Sequence, residues 1–183
     1  MNTKTNKIYK NLLIGCLFSA METICFAEYF TANSSYDVCF TPNDDCSSKI
    51  INVIAEAKKQ VLVQAYSFTS KPIANALVQA RKRGVEVKVI LDRSQLKPYL
   101  VKFFIKSDVE VAVDRPADGI AHNKIIIVDG SIVVGGSYNY TKRADKWNVE
   151  NVPIITDAKF AQKYVQNWHN RKAKSIAVDR LSS

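Results

Sequence analysis

Apolar runs alternate with amphipathic stretches along most of the chain. Tyr36–Phe40 reads as extended, Ser47–Lys59 as an amphipathic helix and Val61–Phe68 as an apolar strand. Ser70–Arg83 carries a second helical period and is stopped by Gly84, a residue at ease in the left-handed conformation that ends helices. Val85–Leu91, rich in Val and Ile, predicts a buried strand, Leu96–Ile105 a helix and Val109–Val113 another strand. Ile125–Val128 and Ile132–Val134 flank Asp129-Gly130-Ser131, a pattern of strand, tight turn and strand. Asn151–Ile155 adds a strand, and Ala158–Lys172 a closing amphipathic helix. Strands alternating with helices define an α/β chain. Neither an internal repeat nor a low-complexity linker divides it, and 183 residues at 47% hydrophobic composition suit one core.

The beginning of the chain follows a different pattern. Lys4, Lys7 and Lys10 precede the apolar run Leu12–Met21, and Cys25-Phe26-Ala27 offers a small residue for cleavage, so residues 1–27 read as an export signal and 28–183 as the mature domain. Glu22 interrupts the run far short of the ~20 apolar residues that a spanning helix needs, which makes an uncleaved membrane anchor the lesser alternative. Export implies a secreted or periplasmic protein in an oxidising compartment. Cys39 and Cys46 would then be the only cysteines left, a pair suited to a small disulfide loop around the turn-forming Thr41-Pro42-Asn43-Asp44-Asp45. With no histidine near them, a zinc site is not expected. The formal charge is +9, and +7 once Lys4, Lys7, Lys10 and Glu22 are removed, so a polyanionic partner such as nucleic acid or anionic lipid is favoured.

The chemistry concentrates between residues 121 and 150. In an extended segment His122 and Lys124 point to one face and Asn123 to the other. A neutral imidazole can attack phosphorus, and an ammonium beside it can stabilise the charge that builds on the nonbridging oxygens. Gly135 and Gly136 permit close backbone approach, and Ser137 and Asn139, again two apart, add polar groups to one face. Glu150 could accept a hydrogen bond from the second imidazole nitrogen and fix its orientation.

His122, Lys124, Asp129, Gly136, Ser137 and Asn139 stand at the spacing of the phospholipase D superfamily signature, and the chain resembles that family. The likeness runs from Cys39 to Trp168, including Ala65-Tyr66-Ser67-Phe68-Thr69 and Lys82-Arg83-Gly84-Val85-Glu86-Val87-Lys88, and is greatest to small single-motif bacterial endonucleases and small secreted bacterial phospholipases D. It implies that His122 forms a phosphohistidine, that Lys124 and Asn139 bind the phosphate, that Ser137 and Glu150 support the histidine, and that Asp129, at a turn, is structural. The expected fold is α/β with a mixed, mostly parallel central sheet flanked by helices on both faces. The family uses two motif histidines and this chain has one motif. His169, the other histidine, lacks a lysine two residues on and reads as a surface or packing residue. A symmetric homodimer joining two His122 side chains is therefore expected, with no metal or other cofactor required.

Substrate is less legible. An endonuclease acting on DNA or RNA is the first expectation: Lys142 and Arg143 are placed to bind substrate, Lys146 adds charge, and Tyr138, Tyr140 and Trp147 are candidates for base stacking. Arg81-Lys82-Arg83 reads instead as a favourable helix end. The alternative is a phospholipase D acting on phosphatidylcholine, for which Tyr99–Phe104 is the candidate apolar rim, though it also reads as an ordinary buried helix. A DNA-binding module that has lost catalysis is disfavoured by the intact motif.

Overall fold

A computed structural model describes residues 27–178, so the export signal expected over residues 1–27 lies, Ala27 apart, outside the described residues. The elements are β1 (Ser35–Thr41), α1 (Cys46–Glu56), β2 (Gln60–Ala65), α2 (Lys71–Lys82), β3 (Glu86–Asp92), a short 3-10 turn (Arg93–Gln95), α3 (Pro98–Lys106), β4 (Glu110–Asp114), β5 (Lys124–Val128), β6 (Ile132–Val134), α4 (Lys142–Lys146), β7 (Glu150–Thr156), α5 (Ala158–Lys174) and β8 (Ile176–Ala177). They build one eight-stranded sheet in the order β1-β7-β6-β5-β2-β3-β4-β8.

The sheet is mixed, but the expectation that it is mostly parallel is corrected. Only β2–β3 and β3–β4 pair in parallel, while the other five neighbouring pairs are antiparallel. Connection length explains the difference. The segments leading out of β2 and β3 contain α2 and α3, long enough to cross over the sheet and return in the same direction. β5 and β6 are joined by the three residues 129–131, which permit only a hairpin.

Helices cover both faces. On one, Ile50 and Ile54 of α1, Ile73 and Leu77 of α2, and Leu100 and Phe104 of α3 pack on Val61, Val63, Val89, Ile126 and Val152. On the other, Trp168 of α5 packs on Leu62, Ile90 and Ile127, and its indole N–H donates to the carbonyl of Val63 at 3.0 Å. Arg171 secures the same helix through a two-point ion pair with the buried Asp114 at the end of β4. Cys39 and Cys46 are disulfide-bonded, fixing the end of β1 to the first turn of α1. Gly84 ends α2 at φ +92°, as its position suggests. Arg83 donates to the carbonyls of Ile54 and Ala55 and Arg81 to that of Asp108, so these basic residues tie α2 to its neighbours.

Asp129 is the hub of the α1–β2 junction. It sits at φ +51° in the β5–β6 turn, and its carboxylate accepts the backbone N–H groups of Lys58 at 2.9 Å, Lys59 at 2.8 Å and Gln60 at 2.9 Å. Partial burial opposes its ionisation, but the three N–H donors outweigh that and hold the carboxyl below its ordinary value. Asp129→Ala is therefore expected to cost about 2–4 kcal/mol in chemical denaturation at pH 7, because three donors lose their acceptor. Since the folded-state value is depressed, this contribution is present above the unfolded carboxylate value near ~3.9 and fades as pH falls below it. The gap between wild type and variant should accordingly close in acid.

Candidate active site

The motif residues meet at one end of the sheet, where β2, β3, β4 and β6 finish and β5 and β7 begin. β5 pairs with β2 so that Lys124 lies opposite Ala65. His122 is not in the strand, as expected, but two residues before it, in the segment entering β5. The ladder continues informally, since the N–H of Tyr66 donates to the carbonyl of Asn123 at 2.8 Å and the Asn123 amide donates to Gln64 at 2.7 Å. Asn123 thus points away from Lys124, as the alternation requires.

Two residues of one motif occupy opposite environments. Lys124 is 7% exposed, whereas the His122 side chain is exposed. The Lys124 ammonium donates to the carbonyl of His122 at 2.7 Å and lies 5.1 Å from the centre of the Tyr66 ring. Burial lowers its pKa from the ordinary lysine value, and the negative charge of Glu150 counters part of that shift. The imidazole of His122 packs on Tyr66 with ring centres 4.5 Å apart. Tyr66 therefore touches both motif residues.

Glu150 opens β7 and lies opposite Thr41 of β1. Its carboxylate accepts from the Ser137 hydroxyl at 2.5 Å and from the Asn148 amide at 2.8 Å. Ser137 is bound in turn by the backbone N–H of Asn151 at 3.2 Å. Among the described residues no hydrogen bond reaches the His122 imidazole; Ser137 and Glu150 are joined to each other, and Glu150 acts on Lys124 by charge. Gly136 makes the approach of this loop to β7 feasible: at φ +108°, a β-carbon there would sit 2.2 Å from the carbonyl oxygen of Asn151. Among the described residues, the buried side-chain oxygen of Asn139 has no hydrogen-bond partner.

The alternation that directs Ser137 and Asn139 outward turns Tyr138 and Tyr140 inward, where both are buried. Their expected role in base stacking is thereby corrected. Tyr138 donates to Asp145 at 3.1 Å and Tyr140 packs on Phe68. Lys142 and Arg143 are exposed on α4, and Trp147, 64% exposed, ends that helix with the Lys142 ammonium 5.8 Å from its ring centre. His169 is exposed on α5, where its charged neighbour is Glu86 at the start of β3. Glu86 stands at the end of β3 opposite Asp92, the residue that binds the N–H next to His122. In α3, Leu100 and Phe104 are core residues and Tyr99 is exposed. Among the described residues no group of three or more His, Cys, Asp or Glu side chains is placed to hold a metal ion.

Residues 50–171 match the family model described as the PLD-like domain of cardiolipin synthase, and the chain belongs to the phospholipase D superfamily of phosphodiesterases. Among particular relatives, the phospholipase D of Rickettsia prowazekii (strain Madrid E) is 42% identical over 149 residues, spanning 80% of this chain and 72% of that one. The mitochondrial cardiolipin hydrolase of Xenopus tropicalis is 28% identical over 132 residues, 71% of this chain and 63% of its own. The crystal structure of the phospholipase D family member Nuc from Salmonella typhimurium superposes with a TM-score of 0.74 at 32% identity, covering 79% of this chain and 97% of that one.

The coupling of Glu150 to Lys124 gives a pH prediction. Glu150 raises the lysine pKa, so Glu150→Gln is expected to move the alkaline limb of the pH–rate profile to lower pH. A profile whose alkaline limb stays in place would show that Lys124 does not set it.

Proposed function

We propose that the protein hydrolyses a phospholipid phosphodiester through a phosphohistidine on His122, as a homodimer. The exposure of His122 beside the buried, cationic Lys124 carries the chemical part of this reading. One imidazole nitrogen of His122 attacks phosphorus, the bond from phosphorus to the leaving alcohol breaks, and an acid delivers a proton to the departing oxygen. Lys124 and the Asn139 amide stabilise the nonbridging oxygens while that charge builds. Water, deprotonated by the same acid in its basic form, then attacks the phosphohistidine and releases the phosphomonoester with His122 restored.

The acid is a second histidine, and His169 is at the wrong end of the sheet to be it. His122 of the partner subunit fills the role, across a two-fold axis at the strand ends. An exported location is consistent with the Cys39–Cys46 disulfide.

The surroundings of the site favour lipid. Ile120, Trp147, Val149 and Phe40 are exposed apolar side chains within a few residues of His122 or Glu150, or paired with Asn151, and Lys142, Arg143 and Lys146 alternate with them. Val149 is 88% exposed. Apolar groups interleaved with cations suit an anionic bilayer surface. The phospholipases D at 42–44% identity add to this reading. The second reading, an endonuclease, rests on the exposed Lys142 and Arg143 and on Trp147 as a stacking platform.

The test compares wild type with His122→Ala on vesicles of phosphatidylcholine with phosphatidylglycerol, on plasmid DNA and on RNA, all in EDTA. Headgroup release that falls at least ~10³-fold in the variant is expected. Nicking of DNA without headgroup release would transfer the assignment to the nuclease. Val149→Asp is expected to reduce vesicle binding with the dimer intact; loss of the dimer instead would assign the rim to the subunit interface. In mixtures co-expressed with His122→Ala, activity should fall as the square of the wild-type fraction, whereas a linear fall would rule out a shared site.

A further inference from the structure

Asp92 ends β3 and is 2% exposed, yet no ion pair to it exists among the described residues. Its two oxygens have separate duties. One accepts the backbone N–H of Ser94 at 2.8 Å together with the Ser94 hydroxyl, an ordinary cap for the turn at Arg93–Gln95. The other accepts the backbone N–H of Ala121 at 2.7 Å, one residue before His122.

That second bond is not a by-product of the sheet. The strand order is β5-β2-β3, so β3 does not pair with β5, and Asp92 reaches past the end of β2 to hold the segment entering β5. The chain arrives there from β4 through residues 115–123, which have no regular structure. Among the described residues, 115–120 make no hydrogen bond, so Ala121 is the first point at which the returning chain is held. The next two holds follow at once: the His122 carbonyl by Lys124, and the Asn123 carbonyl by Tyr66. The latter two fix one side of the nucleophile's backbone; only the bond to Asp92 fixes the side from which the irregular segment comes. Capping alone needs one carboxylate oxygen, and burying the other is costly unless it too is bonded.

We propose that Asp92 is a positioning residue that sets the placement of the His122 imidazole by holding the N–H of Ala121 across the end of β2. The proposal rests on the reading of His122 as the nucleophile, and its test separates the two. Asp92→Asn keeps the shape but offers one acceptor oxygen, so it can hold Ser94 or Ala121 but not both without turning its NH₂ towards a donor. With bis(p-nitrophenyl) phosphate as substrate, kcat is expected to fall about tenfold with KM within about twofold, because a small displacement of an attacking group lowers rate more than binding.

The readout independent of activity is the NMR signal of the imidazoles. The sequence holds two histidines, so His169 serves as an internal reference. The His122 signals should shift or broaden in Asp92→Asn while those of His169 stay in place. Should that variant fail to fold, Ser94→Ala, which loosens the cap and leaves both carboxylate oxygens, is expected to give the same displacement with a smaller loss, about threefold in kcat. A lowered melting temperature with kcat per folded molecule and the His122 signal both unchanged overturns the proposal. Wild-type protein inactive on every diester, with His122 displaced by Asp92→Asn, removes the catalytic reading and upholds the placement.

Discussion

The register that sets Lys124 opposite Ala65 is the constraint on which the site depends. β5 enters the sheet beside β2 in the opposite sense, so its first residue lies at the edge where β2 and β3 end. Slipping that pairing by one residue would send Lys124 to the α5 face and Asn123 towards the core. The register is guarded at its far end by Asp129, which binds three successive N–H groups at the start of β2, and by Val61, Val63, Ile126 and Val128, which all belong to one core face. Asp129 thus supports the placement of Lys124 from the other end of the strand.

Placing a lysine at the first position of a buried strand is costly for a cation, and the structure compensates with few partners. One carbonyl, an aromatic face and the charge of Glu150 surround the ammonium. Because the carbonyl belongs to His122, the bond that steadies the lysine also steadies the backbone of His122. The two motif residues are therefore coupled by more than sharing a face: the same two-residue spacing that aligns their side chains lets one side chain hold the other's main chain.

Much of this was legible in the sequence, and the misses have physical causes. The tight turn at residues 129–131, the stop at Gly84 and the Cys39–Cys46 disulfide followed from local chemistry, which the chain expresses over a few residues. The sheet's predominantly antiparallel pairing did not, because apolar runs such as Val61–Phe68 and Val85–Leu91 signal burial without direction, and direction depends on which strands become neighbours. Tyr138 and Tyr140 were read as stacking platforms by their nearness to Lys142, although the alternation used for Ser137 and Asn139 already turned them inward. Asp92 and Tyr66 lie outside the motif; their importance comes from strand order, which brings the ends of β2 and β3 to residues 29 or more positions away.

The contrast between the two halves of the site argues for incompleteness in a specific sense. The cationic half is finished within one chain: Lys124 is buried, Ser137 and Glu150 are bonded to each other, and Gly136 seats the loop against β7. The half around His122 is open. The imidazole of His122 is exposed and packs on Tyr66. Phosphoryl transfer through a histidine needs a proton donor on the side opposite the attack, because the leaving oxygen departs in line with the incoming nitrogen. In the homodimer proposed above, a two-fold axis through the open side would supply a histidine held by the same Asp92, Lys124 and Tyr66 contacts, without a long loop from the same chain.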